Sequence, residues 1–249
     1  MGIPEQNMIG LDNIYYCCVQ KTASQWLRAV FDDPLFNQYT GLAMHPYRVL
    51  GLNTANITEP FPEKTVVTHL YINNDTYKNI KKSGAYKTFF ITRDPRDSVV
   101  SWYYSAKYSH KLMDPIPEMR AQLVQLNRDD GLRYIIDKID SFGYFDAQLS
   151  WAKSGEKVFN YELISRDPEE FLKQLFIFLD IHMVPEDFQQ LCHKHSFQKK
   201  ADGREQGEED INSHFRKGVV GDWKTHLDQG LLDYLDSKSP NLIEELGYQ

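Results

Sequence analysis

Residues 89–101 read FFITRDPRDSVVS, an apolar run that leads directly into a helix start. Asp94 suits the N-cap position and Pro95 the first helical turn, so the sequence predicts a strand that ends where a helix begins. A helix N-terminus offers free backbone N–H groups and the positive end of the helix dipole. With the guanidinium groups of Arg93 and Arg96 beside it, this turn predicts an anion site. The alternative is a wet surface on which both arginines pair with neighbouring aspartates.

Length and composition describe one soluble globular domain. The 249 residues are 41% hydrophobic and 25% charged, and single α/β domains often have this length. No apolar run reaches the ~18–20 residues that cross a bilayer, which argues against a membrane protein. Residues 1–10 lack the basic and apolar regions of a secretory signal, so a cytoplasmic protein is expected. The net charge of −7 argues against nucleic-acid binding and predicts that any polyanion site is local.

The spacing of cysteine and histidine favours neither a disulfide framework nor a metal site. Cys17, Cys18 and Cys192 are interpreted as core residues or inert thiols. His193 and His195 are two positions apart, which places them on different sides of a helix. The sequence therefore predicts chemistry without a metal.

Strand-like and helix-like segments alternate along the chain. Short β-prone segments are predicted at residues 14–19, 65–68, 87–92 and 157–161. Helical spacing of apolar residues occurs at residues 24–31, 94–107, 117–127, 130–139, 142–153 and 168–180. This alternation predicts an α/β fold with a mostly parallel sheet covered on both faces.

Residues 198–221 break the pattern. The segment QKKADGREQGEEDINSHFRKGVVG is polar, contains glycine and lacks apolar periodicity, so it is predicted to be a long loop. Loops of this length in a compact domain are usually either functional or plain surface excursions.

A second anion site is predicted where the first strand runs into the first helix. Residues 19–27 read VQKTASQWL, which puts Lys21 in the turn and the next N–H groups around a phosphate or sulfate. Hydroxyl groups at Thr22 and Ser24 add donors. The Gly-rich Walker pattern is absent, because no glycine precedes the lysine.

Three segments together resemble the cofactor-binding segments of the cytosolic-type sulfotransferases, which use 3′-phosphoadenosine 5′-phosphosulfate (PAPS). They are residues 21–26, residues 93–101 and residues 215–223, FRKGVVGDW, in the family's order. The RKGxxGDWK pattern that begins at Arg216 is the most specific. The resemblance covers most of the chain and implies a P-loop-like three-layer α/β/α fold, with residues 1–249 as a single domain.

The resemblance also implies a role for each matching residue. Lys21 resembles the catalytic lysine at the sulfate-bridging oxygen, and His69, in VVTHL, matches the general base. The other matching positions are Thr22, Ala23, Ser24 and Gln25 at the 5′-phosphate, Trp26, Tyr161, Ser196 and Phe197 beside adenine, and Arg93, Ser101, Arg216, Lys217 and Gly218 at the 3′-phosphate. The loop at residues 198–221 would cover the cofactor.

Physical reasoning supports this allocation. A multiply charged anion needs clustered cations, which an acidic chain supplies only locally. Sulfuryl transfer, like phosphoryl transfer, needs in-line positioning and neutralisation of charge on the leaving oxygen, a task that suits Lys21. A neutral imidazole can take the acceptor's proton near pH 7, which suits His69. Without the resemblance, a core histidine bonded to the backbone is the favoured interpretation of His69, and Trp26 and Tyr161 could be plain core aromatics.

Several positions depart from the family pattern. Ala23 replaces the usual glycine, so the backbone there must accept a Cβ. Ser24 and Gln25 replace a pair of threonines, and Val67 replaces a frequent lysine. The segment after Trp223 lacks the family's KxxxTVxxxE dimerisation pattern, which leaves the oligomeric state open.

The function expected from the sequence is transfer of a sulfuryl group from PAPS to a hydroxyl of a small-molecule acceptor, with an amine as the less favoured group. The nucleotide product is 3′-phosphoadenosine 5′-phosphate (PAP). Aromatic residues of the middle segment, Trp102, Tyr103, Tyr104, Tyr108, Phe142, Tyr144 and Phe145, line an acceptor cavity or belong to the core. A role in natural-product tailoring rests on analogy alone. Two other classes stay open, a P-loop-like small-molecule kinase or NTPase and a nucleotide-binding relative without turnover.

Overall fold

The structure is a computed structural model that describes residues 9–45, 57 and 59–249. The prediction that no secretory signal is present concerns the N-terminal segment, of which residues 1–8 lie outside the described residues. Across the described part of the chain, no helix has the length and apolar character needed to cross a membrane.

A five-stranded parallel sheet runs through the described residues. Its strands are β1 (Asn13–Cys18), β2 (Ala43–His45), β3 (Thr65–Tyr71), β4 (Tyr86–Thr92) and β5 (Lys157–Asn160). Their order across the sheet is β2-β3-β1-β4-β5, and each neighbouring pair is parallel. The central strand β1 is buried along its whole length, as expected when helices cover both faces of a parallel sheet.

Helices connect the strands and follow the sheet. In chain order they are α1 (Ser24–Phe31), α2 (Pro34–Thr40), α3 (Asn74–Lys78), α4 (Pro95–Tyr104), α5 (Ile116–Gln125), α6 (Arg128–Ser141), α7 (Tyr144–Ala152), α8 (Tyr161–Arg166), α9 (Pro168–Leu179), α10 (Pro185–Lys194), α11 (Phe197–Lys200), α12 (Gln229–Lys238) and α13 (Leu242–Glu245). A π-helical turn, Ser105–Ser109, extends α4, and a 3₁₀ turn, Asp222–Thr225, precedes α12.

Two apolar clusters, one on each face of the sheet, create the three layers. Alternate residues of β1 separate onto the two faces, since side chains of a strand point to opposite sides in turn. Tyr15 and Cys17 belong to the cluster that packs on α4 to α7, whereas Tyr16 and Cys18 belong to the cluster that packs on α1, α2, α9 and α10. The predicted α/β fold with a three-layer architecture is confirmed. That residues 1–249 form one domain stays a prediction.

A β-bulge between β1 and β3 changes the direction of His69. Tyr15 to Cys17 of β1 span the same length as Val67 to Leu70 of β3, so one extra residue lies in β3. Val67 and Leu70 both enter the same apolar cluster although they are three positions apart. In a regular strand His69 would share that face with Val67. The bulge releases His69 from the core, as bulges beside functional sites often do.

Several local predictions differ from the structure. Tyr161 was predicted at the end of a strand, but it is the first residue of α8, because the chain leaves the sheet at Asn160. Residues 198–200 belong to α11 and do not open the long loop. The strand β2 and the helices α2, α3, α8 and α10 to α13 were not predicted. Most of these elements are short, and fewer than two helical turns give too little apolar periodicity to recognise.

Candidate functional site

A cavity of about 620 Å³ opens at the carboxyl edge of the sheet. After β1 the chain continues to β2 and β3 on one side of β1, and it then crosses to β4 on the other side. The order of the strands therefore reverses beside β1. Ligands of open α/β sheets bind in the crevice at such a point. The wall includes the turn after β1, the end of β3, the start of α4 and the loop at residues 198–221.

The turn after β1 has an unusual backbone. Lys21 and Ala23 have positive φ angles of 68° and 59°, a region that costs a non-glycine residue roughly 1–2 kcal/mol. Ala23 therefore keeps a glycine-like conformation at the position where it replaces the family's glycine. It is also the N-cap of α1, and no side chain caps this helix. The first N–H groups of α1 are thus available to an anion.

Thr22 and Ser24 have structural hydroxyl contacts. Thr22 is fully buried, and its Oγ1 donates to the carbonyl oxygen of Val19 at 2.7 Å. Ser24 Oγ lies 3.0 Å from the hydroxyl of Tyr71. The structure places Ser24 on the cavity wall but not the Thr22 side chain. The hydroxyl of Thr22 fixes the turn, so any ligand contact from this residue comes from its backbone.

Lys21 shares the cavity with two other cations. The Arg93 guanidinium donates from Nη1 to the carbonyl oxygen of Lys21 at 2.7 Å. Burial, together with the positive charges of Arg93 and Arg216, lowers the pKa of Lys21 to about 7. An anion in this cavity would favour the charged form of the lysine. The site therefore couples anion binding to protonation of Lys21.

Arg93 is held in place, but a buried nitrogen of its guanidinium has no partner among the described residues. Its backbone N–H donates to Oε1 of Gln148 at 2.9 Å, and its guanidinium lies 4.1 Å from the centre of the Tyr161 ring. Within the described residues, its buried Nε has no hydrogen-bond partner. A buried donor left without a partner is costly. Nε of Arg93 is thus positioned to donate a hydrogen bond to an atom of a ligand.

The long loop carries Arg216 and one further cation, Lys217, to the cavity wall. Arg216 pairs with Glu209 and Asp222, and its guanidinium lies 4.4 Å from the centre of the Tyr104 ring. Lys217 Nζ lies 2.7 Å from Oδ1 of Asp222. Burial alone would raise the pKa of Asp222, but hydrogen bonds from both cations hold that pKa below its usual range. One carboxylate thus partly neutralises the loop cations.

Gly218 brings the loop backbone against an aromatic ring. Its φ is 68°, and a Cβ at this position would lie 2.5 Å from Cε2 of Phe197. Its carbonyl oxygen accepts a hydrogen bond from Ser165 Oγ at 2.8 Å. Only glycine allows both this conformation and this approach. The contact keeps the loop beside Phe197, which lines the cavity.

Asp97 ties the loop to α4. Its carboxylate accepts the backbone N–H groups of Gly221 at 2.7 Å and Trp223 at 2.9 Å. Arg96 stacks on the Trp223 ring at 4.0 Å and pairs with Asp94 at 2.8 Å. Arg96 is buried and does not line the cavity. The prediction that Arg96 contributes to the anion site is therefore wrong. It pairs with an aspartate, but inside the protein.

The predicted aromatic residues line the cavity, and Ser196 does not. Trp26, Tyr161 and Phe197 line the cavity, and the indole N–H of Trp26 donates to the carbonyl oxygen of His195 at 2.7 Å. Ser196 lines an adjoining pocket behind Trp26. The aromatic middle segment divides between the two expected roles: for example, Trp102 and Phe142 line the cavity, and Tyr144 is a core residue.

His69 is buried at the end of β3 and lines the cavity. Its Nε2 lies 3.4 Å from Nε2 of Gln25, in the first turn of α1. Its ring is 5.0 Å from that of Tyr71. The bulge in β3 and the start of α1 thus bring His69 next to the segment that carries Lys21.

The sequence reasoning missed several residues of the site. His110 and His214 line the cavity, and Gln148 holds the backbone of Arg93. No local motif marks Gln148, which is an interior residue of α7. Asp97 was noticed only as a possible partner for arginine, whereas its partners are the two N–H groups of the GDW segment.

The chain belongs to the sulfotransferase domain family, whose model matches residues 16–245. It is 24% identical over 184 residues to sulfotransferase 6B1 of Danio rerio, covering 70% of this chain and 57% of that protein. It is 25% identical over 237 residues to cytosolic sulfotransferase 3 of Arabidopsis thaliana, covering 83% of this chain and 69% of that protein. The chain thus spans little more than half of the first relative. The expected family is confirmed.

Solved structures show the same fold at low identity. Mouse sulfotransferase SULT7A1 complexed with PAP has a TM-score of 0.60 and 18% identity, covering 94% of this chain and 85% of that chain. Retinol dehydratase in complex with androsterone and the inactive cofactor PAP has a TM-score of 0.56 and 16% identity, covering 95% and 82%. These likenesses support the P-loop-like α/β fold.

Replacing Asp97 with alanine is expected to release the long loop from α4. Two partly buried N–H groups lose their partner, which predicts a loss of about 2–3 kcal/mol in the free energy of unfolding and faster proteolysis within residues 198–221. Urea denaturation and limited proteolysis measure both effects. Asp146→Ala, at an exposed position in the first turn of α7, is the control and should change stability by less than about 1 kcal/mol. Equal behaviour of the two variants would contradict the anchoring role.

Proposed function

We propose that this protein transfers the sulfuryl group of PAPS to a hydroxyl of a small-molecule acceptor and releases PAP. The observation that carries the proposal is the meeting of three cations from distant segments at one cavity. Lys21 follows β1, Arg93 follows β4, and Arg216 lies on the long loop. In a chain of net charge −7, such a cluster favours a ligand with several negative charges.

The residues of the cavity fit a nucleotide with two phosphate-bearing ends. The uncapped start of α1 and Lys21 suit the 5′ end, and Arg93, with an unused buried Nε, suits the 3′-phosphate. Trp26 and Phe197 offer aromatic surface for a base. The PAP complexes of SULT7A1 and retinol dehydratase support the same ligand in proteins of this fold. PAPS, when bound, supplies a sulfuryl group on an activated phosphate oxygen.

We assign two chemical tasks to side chains of this protein. His69, in its neutral form, takes the proton of the acceptor hydroxyl as the hydroxyl attacks. Lys21, protonated when an anion fills the cavity, stabilises the charge that develops on the leaving oxygen. The short connection from His69 through Gln25 to the Lys21 turn supports a common site for both tasks. The remaining requirement is that the protein holds the acceptor hydroxyl in line with the bond that breaks, as in phosphoryl transfer.

The acceptor is proposed to be a small apolar molecule with a hydroxyl, and an amine is the less favoured alternative. Trp102, Ile116 and Phe142 give the cavity apolar surface. Retinol dehydratase has been solved with retinol and with androsterone, both apolar molecules. A cytoplasmic location is proposed because an Arabidopsis relative is named cytosolic. Natural-product tailoring remains an analogy.

One direct experiment separates this proposal from its alternatives. The protein is incubated with a panel of hydroxylated acceptors and either PAPS or ATP with magnesium, and products are identified by accurate-mass spectrometry. Sulfated products with PAPS alone are expected. Phosphorylated products with ATP would favour a kinase, and tight PAP binding without any product would favour a relative that lacks turnover.

His69→Gln is expected to reduce kcat for hydroxyl sulfation at least about 100-fold, because a general base is lost. PAP affinity should stay within about twofold of the wild-type value, since His69 contacts the acceptor and not the nucleotide. Steady-state kinetics and calorimetry measure these quantities. His182→Gln, at an exposed position, should leave both unchanged. A His69→Gln enzyme that keeps more than a tenth of wild-type kcat would remove His69 from the role of base.

PAP affinity is expected to fall with rising pH because of Lys21. In the free protein the lysine has a pKa of about 7, and a bound anion raises that pKa. The protonated form binds better, so affinity is fully present below pH 7 and falls up to about tenfold per pH unit above it, until the raised pKa is passed.

Lys21→Arg is the matched control for this pH dependence, since its guanidinium stays charged throughout. The ratio of wild-type to Lys21→Arg affinity cancels the ionisation of PAP itself. Calorimetric titrations at several pH values between 6 and 9 give the two curves. We expect the ratio of wild-type to Lys21→Arg affinity for PAP to fall as the pH rises above 7. Parallel affinity curves for the two proteins would contradict the role of Lys21.

A further inference from the structure

A histidine between α4 and α5 lines the cavity but has no part in the tasks assigned above. His110 follows the π-helical turn Ser105–Ser109 directly, and such turns are frequent at functional sites. Its backbone N–H donates to the carbonyl oxygen of Ser105 at 2.7 Å. Arg120 donates from Nη2 to the carbonyl oxygen of His110 and from Nε to that of Ala106, both at 2.8 Å. The backbone of His110 is therefore clamped on both sides.

The ring of His110 is fixed as firmly as its backbone. It stacks on Trp102 with the ring centres 6.2 Å apart and 9° between the planes. Nδ1 lies 3.0 Å from the carbonyl oxygen of Lys111. A carbonyl only accepts, so Nδ1 carries the proton and Nε2 presents a lone pair in the neutral ring. Within the described residues Nε2 makes no hydrogen bond.

The surroundings keep His110 uncharged near neutral pH. Partial burial lowers the pKa of His110, and the nearby cations Lys21 and Arg120 act in the same direction, against the hydrogen bond to Lys111. Burial also lowers the pKa of His214, and Lys21 and His110 add to that effect. His110, His214 and Lys21 all line the same cavity, so the ring of His110 faces the space that the acceptor shares with Lys21.

The charges of this wall distinguish between classes of acceptor. Asp114 lines the same cavity a few residues after His110. The cations of this cavity, Lys21, Arg93 and Arg216, are assigned above to the nucleotide, and Arg216 and Lys217 also pair with Asp222. A lone pair on Nε2 and a carboxylate on Asp114 favour a hydrogen-bond donor and disfavour an acceptor molecule with a carboxylate of its own. Trp102 and Ile116 provide apolar contacts beside them.

We propose that Nε2 of His110 binds a second hydrogen-bond donor of the acceptor and so orients the hydroxyl that is sulfated. The proposal rests on the proposed function and names its substrate class: an apolar, uncharged or cationic molecule that carries one hydroxyl for transfer and a second hydroxyl or amine for His110. The residue binds the acceptor and takes no proton in the transfer.

The test measures binding of aromatic probes to the protein saturated with PAP. Isomeric dihydroxynaphthalenes are compared with 1-naphthol and 2-naphthol by calorimetry, because the isomers vary the distance between the two hydroxyl groups. In the wild type, at least one diol should bind about fivefold more tightly than its parent naphthol, the size of one net hydrogen bond. That advantage is the quantity to follow in the variants.

Three variants of His110 separate hydrogen bonding from structure. His110→Phe keeps an aromatic ring for Trp102 but has no hydrogen-bond acceptor atom. The ratio of diol affinity to naphthol affinity should therefore fall to about one. His110→Gln offers a carbonyl oxygen and should restore part of it, whereas His110→Leu should not. PAP affinity should be the same in each variant, which also reports whether each one folds.

The outcomes for this inference differ from those for the proposed function. Loss of the diol advantage in His110→Phe, with PAP affinity intact, supports the role of His110. An equal advantage in wild type and His110→Phe would overturn it, as would a wild type that prefers no diol. Failure of the wild-type protein to bind PAP at all would instead overturn the proposed function.

Discussion

Repulsion among Lys21, Arg93 and Arg216 is the constraint on which this site depends. Like charges in one partly dry cavity destabilise the protein that holds them. Burial, and in addition the charges of the two arginines, lowers the pKa of Lys21 to about 7. An anion with several charges removes the repulsion. The protein therefore gives up stability at a cavity that favours a polyanion, a trade-off that is common at functional sites.

Neighbouring groups limit this cost without removing it. Asp222 pairs with Arg216 and Lys217, and aromatic rings of Tyr104 and Tyr161 lie against the two arginines. Asp97 in turn holds the backbone that follows these loop cations. Strain enters the same site, because Lys21 and Ala23 both have positive φ. Packing around the turn, with the hydroxyl of Thr22 bonded to Val19, maintains a conformation that neither residue prefers.

The sequence predicted those parts of the site whose residues are adjacent in the chain. The strand-to-helix turns at Lys21 and at Arg93 follow from capping chemistry and apolar runs. The approach of Arg216 to these turns did not follow from local pattern, and the resemblance of RKGxxGDWK to the sulfotransferases supplied it. The position of His110 depends on a π-helical turn and on Arg120. A π-helical turn and a side chain that bonds to backbone ten residues away leave no periodicity in a sequence, so they were missed.

The most direct test of the account is the contribution of the 3′-phosphate to nucleotide binding. Calorimetry with PAP and with adenosine 5′-monophosphate, on the wild type and on Arg93→Met, measures it. We predict that the wild type binds PAP at least about 100-fold more tightly than adenosine 5′-monophosphate, because buried charge-assisted contacts to a dianion each contribute roughly 1.5–3 kcal/mol. Arg93→Met is expected to lose most of this preference for PAP. Equal affinity of the wild type for the two nucleotides would contradict the account.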